Sequence, residues 1–492
     1  MQASMSASDP GSSARVRTGI KGLDAILDGG LPRGEIHLVQ GSAGTGKTTV
    51  GLQFLLDGAA AGETALFVTF AQTEATLRKI ATSHGWSLDG ISVHELTGAG
   101  GGDEGEQTLF HTADVELGET TSAIFAAIER AQPDRIVLDS VASIRLLADD
   151  PLRYRRQLLT MRRFLAPRPS TVLLLDGTEP DPALEDIVHG VLRLERVTPE
   201  YGDVHRRLSI AKMRGMAFNG GYHNYRIRAG GLDVYPRIRP QEHGGHAVRE
   251  VVRSGVAGLD LLLGGGLEGG TACLVVGPTG TGKSSLATLY AYTAATRGER
   301  AVLFCFDERP ETLLARAEGL GMDLRPLVAD GLVAVKPIST AELSPGEFSQ
   351  LVRDAVEEGR AKVVLMDSLT GYFHSMPQEE ALLSQMHDLL TYTSQRGVLS
   401  ILIVSQHGLI GQGIQGPLDV SYMADTVVLL RHFEAGGTVR KAISVIKKRT
   451  GPHETTIREL TLAPGGISVG EPIKDFSGVL SGMPIFQGQA GQ

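Results

Sequence analysis

Two stretches of this 492-residue chain carry one pattern of glycines, a lysine and hydroxyls: Gly41-Ser42-Ala43-Gly44-Thr45-Gly46-Lys47-Thr48-Thr49 and Gly277-Pro278-Thr279-Gly280-Thr281-Gly282-Lys283-Ser284-Ser285. Glycines let backbone N–H groups wrap a phosphate, the lysine neutralises outer phosphate oxygens, and the hydroxyl after it holds a divalent cation. Each stretch follows an apolar run (35–40 and 272–276) and leads into a helix-like segment, the setting this chemistry needs. Both are therefore expected to bind a nucleotide with Mg2+.

Asp139 and Asp367 end apolar runs and are read as the acids that order Mg2+ beside Thr48 and Ser284. Capping the next helix is their competing role. A sharper contrast lies 24 and 25 residues past each lysine. The first half has Ala71-Gln72 there (71 − 47), and the second has Asp307-Glu308 (307 − 283). A carboxylate at a strand mouth beside the loop can take a proton from an attacking water or hydroxyl, whereas alanine cannot and glutamine can only orient. The two halves are expected to differ in catalytic power. Glu74 is near but out of register, and a solvated helix start is the plain alternative for Asp307-Glu308.

Lys212-Met-Arg214 and Lys447-Lys-Arg449 form a second paired signal, at offsets of 165 (212 − 47) and 164 (447 − 283) from the loop lysines. On a strand, residues two apart face the same way, so each pair projects a lysine and an arginine together. Such a fork can act on a γ-phosphate across a subunit boundary, or simply sit solvated at a strand end.

These residues need positioning elements, and the chain supplies them twice. Arg17-Thr-Gly-Ile-Lys-Gly-Leu-Asp24 returns as Arg253-Ser-Gly-Val-Ala-Gly-Leu-Asp260, 236 residues later (260 − 24), as do the loop glycines (277 − 41). In the first half, helices are expected at 48–61 and 120–131 and strands at 65–70, 136–139 and 171–175. The second half repeats them with helices at 284–297 and 348–358 and strands at 301–306, 363–367 and 399–404. Continuous Val/Ile/Leu runs alternating with helices imply an α/β fold, a mostly parallel twisted sheet flanked by helices in each half. Gly230 to Ala247 has the composition of a linker, so the domains are read as 15–247 and 248–486, with tails at 1–14 and 487–492. Gly98 to Gly105 is expected to be a loop.

Composition narrows the function. A net charge of −9 lacks the footprint of a duplex-DNA binder. The arginines at 153, 155, 156, 162 and 163 form a basic amphipathic face, read as solvated or intersubunit before nucleic-acid-binding. Cys273 and Cys305 fall in apolar runs, the 14 histidines lack ligand spacing, and no apolar run reaches membrane-spanning length; no structural metal is expected and the cytoplasm is the expected compartment.

The repeated leading motif, the Gly-Thr-Gly-Lys loops, the pairs Asp139-Ser140 and Asp367-Ser368, and the Lys-x-Arg forks resemble the RecA-like ATPase superfamily. Within it, the tandem arrangement resembles the KaiC family of circadian clock ATPases and autokinases, from about residue 15 to about 486. The resemblance implies two tandem RecA-like P-loop domains, ATP and Mg2+ as cofactors, a homohexamer with ATP at subunit interfaces, and signalling partners. It also implies that Ser421 and Tyr422, in the segment from Asp419 to Thr426, are the candidate phosphoacceptors, standing where the family has a Ser-Thr pair; ordinary polar loop residues are the plain alternative. The family carries a Glu pair where this chain has Ala71-Gln72 and Asp307-Glu308. Residues 473–476 and 481–486 are similar to the family's regulatory loop, and Gln406 resembles the γ-phosphate sensor of recombinases. Three readings remain open: an ATPase with serine/threonine autokinase activity, an ATP-gated scaffold with slow hydrolysis, and a DNA-related ATPase.

Overall fold

The computed structural model describes residues 15–70, 72–96, 113–177, 181–198, 202–240, 250–339, 342–374, 381–405, 420–474, 476–478 and 485–486. The expected loop at 98–105, the tails at 1–14 and 487–492, and the boundary at 247 lie outside these residues. By its internal contacts the chain divides into two compact units, 1–237 and 238–492.

Each unit is built on a nine-stranded sheet. In the first, the order across the sheet is Gly231–Tyr235, His223–Arg228, His205–Met213, Gly190–Val197, Ile36–Gly41, Thr171–Asp176, Arg135–Asp139, Ala65–Thr69 and Ile91–Glu95. The last six of these are parallel, and three antiparallel strands extend one side. The second sheet repeats this order, from Val333–Pro337 at one edge through Ala272–Gly277 to Gly466–Pro472 at the other.

Alternation along the central strands explains the layers. Val39, Phe67, Val137, Leu173 and Leu175 face the helix Lys47–Ala60, while Leu38, Val68, Leu138, Val172 and Leu174 face the helices on the other side. A parallel sheet buried on both faces reads as an unbroken apolar run, because both sets of side chains are inside. The same two-sided packing recurs around Val275, Leu303 and Leu365 on one face and Leu274, Phe304 and Met366 on the other. The leading motifs also fold alike: Asp24 accepts from the Thr18 N–H and hydroxyl at 2.7 Å each, and Asp260 from the Ser254 N–H and hydroxyl at 2.8 and 2.7 Å.

Three expectations are revised. The glycine- and proline-rich run after 230 begins with the edge strand Gly231–Tyr235, whose Leu232 and Val234 are buried while Asp233 faces out. The first-half helix expected at 120–131 spans Ala113–Ala131, with Leu117, Thr121, Ile124 and Ile128 buried along one stripe. The second-half helix expected from 348 starts at Pro345, because the Ser344 hydroxyl accepts from the Glu347 N–H and Pro345 takes the first turn.

Among the core positions that differ between the units, one puts a histidine in the sheet. His37 is fully buried beside Gly190 in the parallel register, and an added Cβ at Gly190 would stand 2.7 Å from His37 Nδ1. At the same register the second unit pairs Cys273 with Thr426.

Candidate functional site

The two glycine loops close in the same way. Gly44 and Gly46, like Gly280 and Gly282, hold φ between +77° and +98°, a region that an L side chain rarely enters. The Thr45 hydroxyl donates to the Ser42 carbonyl and the Thr281 hydroxyl to the Pro278 carbonyl, each at 2.8 Å. Lys47 Nζ lies 2.6 Å from the Gly41 carbonyl and 3.1 Å from that of Ser42; Lys283 Nζ lies 2.9 Å from the Pro278 carbonyl. Burial lowers both lysines from the ordinary value, opposed by Asp139 and Asp176 for the first and Asp367 for the second. In the first lobe Tyr225 adds a 2.7 Å bond from its hydroxyl to the Thr45 carbonyl.

Thr48 and Ser284 lie in the first turns of their helices, beside the strand-end acids. The Thr48 hydroxyl donates to Asp139 at 2.9 Å, and Asp367 bonds the Ser284 hydroxyl. Neither acid caps the following helix: Ser140 holds that position in the first lobe and makes no side-chain cap bond there. Burial raises the pKa of both acids, opposed first by these hydroxyls. A buried acid, a hydroxyl and a lysine at one strand mouth form the donor set that fits Mg2+ on a triphosphate, where the cation would supply charge neutralisation at the phosphoryl oxygens. Among the described residues no group of three or more His, Cys, Asp or Glu side chains is placed to hold a metal ion.

In the second lobe the loop opens on a cleft of about 960 Å³, lined by Lys283, Ser284, Asp307, Glu308, Arg316 and Asp367 among others. That is room for a nucleotide. Asp307 Oδ2 accepts from the Ser368 hydroxyl at 2.7 Å, and Gly371 leaves the space: its Cβ would fall 3.0 Å from Asp307 Oδ1. Glu308 is held differently. Arg316 donates to both of its oxygens, from Nε at 3.1 Å and from one terminal nitrogen at 2.7 Å, and its other terminal nitrogen reaches the Ser285 hydroxyl at 3.0 Å.

Arg316 escaped the sequence reading. A signal was present: at the 236-residue offset Glu308 faces Gln72 and Arg316 faces Ile80, so acid and arginine disappear together. In the first lobe Ala71 lies outside the described residues. The Gln72 N–H bonds the Thr69 hydroxyl at 3.0 Å, and its Oε1 is buried with no hydrogen-bond partner. Glu74 pairs with Arg78 at 2.6 Å on its own helix.

The forks lie at the other end of the sheets. Lys212 pairs across from Val191 near the start of the strand Gly190–Val197, and Lys447 across from Val427 near the start of Thr426–Ala435. Those strands run parallel to the loop strands, so each fork stands at the amino edge and each loop at the carboxyl edge. From Cys273 to Gly277 the strand alone covers roughly 13 Å. Lys212 and Arg214 donate to the Glu185 and Asp186 carbonyls. Lys447 bonds the Ser421 and Ala424 carbonyls at 2.9 and 2.8 Å, and Arg449 the Tyr422 carbonyl at 3.0 Å. Ser421 and Tyr422 form a 3-10 turn at this edge, with Tyr422 51% exposed. The fork and the acceptor pair come together, and neither meets its own lobe's loop.

The arginines at 153, 155, 156, 162 and 163 are exposed on the helix Pro151–Leu165, which buries Tyr154, Leu158, Met161 and Leu165. Gln406 and Asp419 lie outside the described residues. Phe476 pairs with Phe486 in a short antiparallel ladder and meets the Phe433 ring at 5.7 Å. Among the described residues no helix is long and apolar enough to cross a membrane.

Two RecA-like lobes, each with a glycine loop, a trailing lysine and hydroxyl, and a strand-end acid, define a tandem P-loop ATPase. The family model described as "ATPase: KaiC" matches residues 16–239 and again 252–474, so the chain belongs to the KaiC ATPase family. It is 28% identical over 484 residues to the circadian clock oscillator protein KaiC of Synechococcus elongatus, covering 96% of this chain and 92% of that one. It is 26% identical over 489 residues to the circadian clock protein KaiC3 of Synechocystis, covering 97% and 95%.

Proposed function

We propose that the chain is a Mg2+-dependent ATPase working as a cytoplasmic homohexamer, with ATP held by both lobes and turned over chiefly by the second. The second lobe acts as a serine autokinase: the Ser421 hydroxyl of one subunit attacks the γ-phosphorus held by another. Its oxygen bonds to phosphorus as the bridge to ADP breaks, and the proton passes to Asp307 or Glu308, whichever carboxylate faces the hydroxyl. Lys447 and Arg449 stabilise charge on a neighbour's nucleotide, as Lys212 and Arg214 do in the first lobe.

The observation that carries this reading is the placement of fork and acceptor at the amino edge of a sheet whose loop is at the carboxyl edge. They stand at opposite edges of one lobe, which supports chemistry between subunits. Mixing tests it. Lys283→Ala and Arg449→Ala chains, each inactive alone, should recover hydrolysis when combined, and γ-labelled ATP should mark Ser421 but not Ser421→Ala. No recovery on mixing would refute the intersubunit site.

A scaffold whose ATP occupancy sets assembly and exposes a docking surface for signalling proteins is favoured by one observation: Glu308 is engaged by Arg316 on both oxygens. ATP-dependent hexamers carrying no phosphate on Ser421 or Tyr422 would select it.

A further inference from the structure

Three carboxylates, Asp307, Glu308 and Asp367, converge on the second cleft, and Arg316 lines it with them. Arg316 comes from the helix Pro310–Gly319, Glu308 from the turn before that helix, and Ser285 from the first turn of the phosphate-loop helix Lys283–Thr296. One guanidinium therefore ties three pieces of chain together. Its fork meets Glu308 with two parallel bonds, and its remaining terminal nitrogen reaches the Ser285 hydroxyl. The side chains of Arg316 and Glu308 are only 26% and 22% exposed. A bidentate pair at this burial fixes direction as well as distance, which a lysine's single ammonium does not.

The first lobe shows what accompanies its absence. Ile80 stands at the equivalent helix position (316 − 236), Gln72 replaces Glu308 (308 − 236), and Thr49 replaces Ser285 (285 − 236). Acid and arginine are therefore both absent from the first lobe.

We propose that Arg316 is a positioning residue of the second lobe: by clamping Glu308 and reaching Ser285, it holds the turn that presents Asp307 against the phosphate loop. The inference rests on the second loop being the hydrolytic nucleotide site. Glu308 is then an anchor for its neighbour, and Asp307, whose Oδ2 accepts from the Ser368 hydroxyl, is left to face the nucleophile.

The test is steady-state phosphate release and ATP titration on the full chain with Lys283→Ala, Arg316→Ile, Arg316→Lys, Glu308→Gln and the double variant Arg316→Ile/Glu308→Gln. Arg316→Ile should lower kcat about tenfold with KM for ATP within about twofold, because misplacement of a reacting group falls on the chemical step. Arg316→Lys should fall between, since it keeps the charge and loses the fork. The double variant should be no slower than Arg316→Ile alone, the signature of two residues acting through one contact. Multiplying effects, or Arg316→Ile and Arg316→Lys both within twofold of the parent, would overturn the proposal. If Lys283→Ala leaves hydrolysis intact, it is the nucleotide reading that fails. Should Arg316→Ile not fold, Arg316→Lys decides: wild-type kcat would overturn the inference.

Discussion

The strand mouths of the two lobes differ by a set of exchanges rather than by one. Asp307, Glu308 and Arg316 of the second stand where the first has Ala71, Gln72 and Ile80, and Gly371, which makes room for Asp307, corresponds to Ser143 when the Asp-Ser pairs are aligned (371 − 367 and 143 − 139). The loops share their glycines and lysine, and in each the hydroxyl after the lysine, Thr48 or Ser284, bonds a strand-end aspartate. On the proposed function, binding and turnover are separable in this architecture: the loop with its hydroxyl and acid holds a nucleotide, while a proton acceptor needs its own pocket and supporting charge.

The hardest blow to that contrast would come from Asp307→Asn. Removal of a proton acceptor should cost on the order of 10²- to 10³-fold in kcat, read as phosphate release by the full chain. A loss below tenfold would mean the second lobe works without it.

Next in size is a stability difference. Burial drives His37 down to about 4, with the Pro32 carbonyl opposing. The folded lobe thus holds the imidazole neutral, while the unfolded chain takes up a proton near pH 6.5. Stability is present above that pH and is lost as pH falls toward 4, by on the order of 3 kcal/mol. His37→Cys combined with Gly190→Thr, copying the second lobe, should abolish that loss. Urea titrations at pH 7 and pH 4.5 that keep the same difference in midpoint would remove His37 as the cause.

A graft sharpens the comparison from the other side. Ala71→Asp, Gln72→Glu, Ile80→Arg and Ser143→Gly together, in a Lys283→Ala background, should raise the remaining hydrolysis roughly tenfold. No gain would show that the first lobe lacks more than these four side chains. The smallest effect belongs to Glu74→Ala. Glu74 is half exposed and paired with Arg78 one turn away, so the change should cost a few tenths of a kcal/mol in chemical denaturation and leave turnover within twofold.

The repeat and the parallel core were legible because glycine loops and two-sided apolar runs leave a dense local pattern. The antiparallel extension was less so: Gly231–Tyr235 hides among glycines and prolines, since an edge strand packs one face and tolerates turn formers. The helix start at Pro345 was missed because a Ser-Pro cap is two residues of weak signal before the apolar stripe begins. Among site residues, the loops and strand-end acids left a pattern within one half, and the forks one that shows only in their near-equal offsets in both. Arg316 could not be read so, because its distance from Glu308 has meaning only once the strand, turn and helix are folded. The amino-edge placement of the forks likewise depends on strand direction.

The exchange of His37 beside Gly190 for Cys273 beside Thr426 has a consequence for heredity. The halves of a duplicated gene invite unequal crossing-over, and a junction separating those two strands would seat an imidazole against a threonine methyl, or leave a hole between cysteine and glycine. Each half is thus fitted to its own partner strand, and a recombinant that exchanged the two would lose that fit.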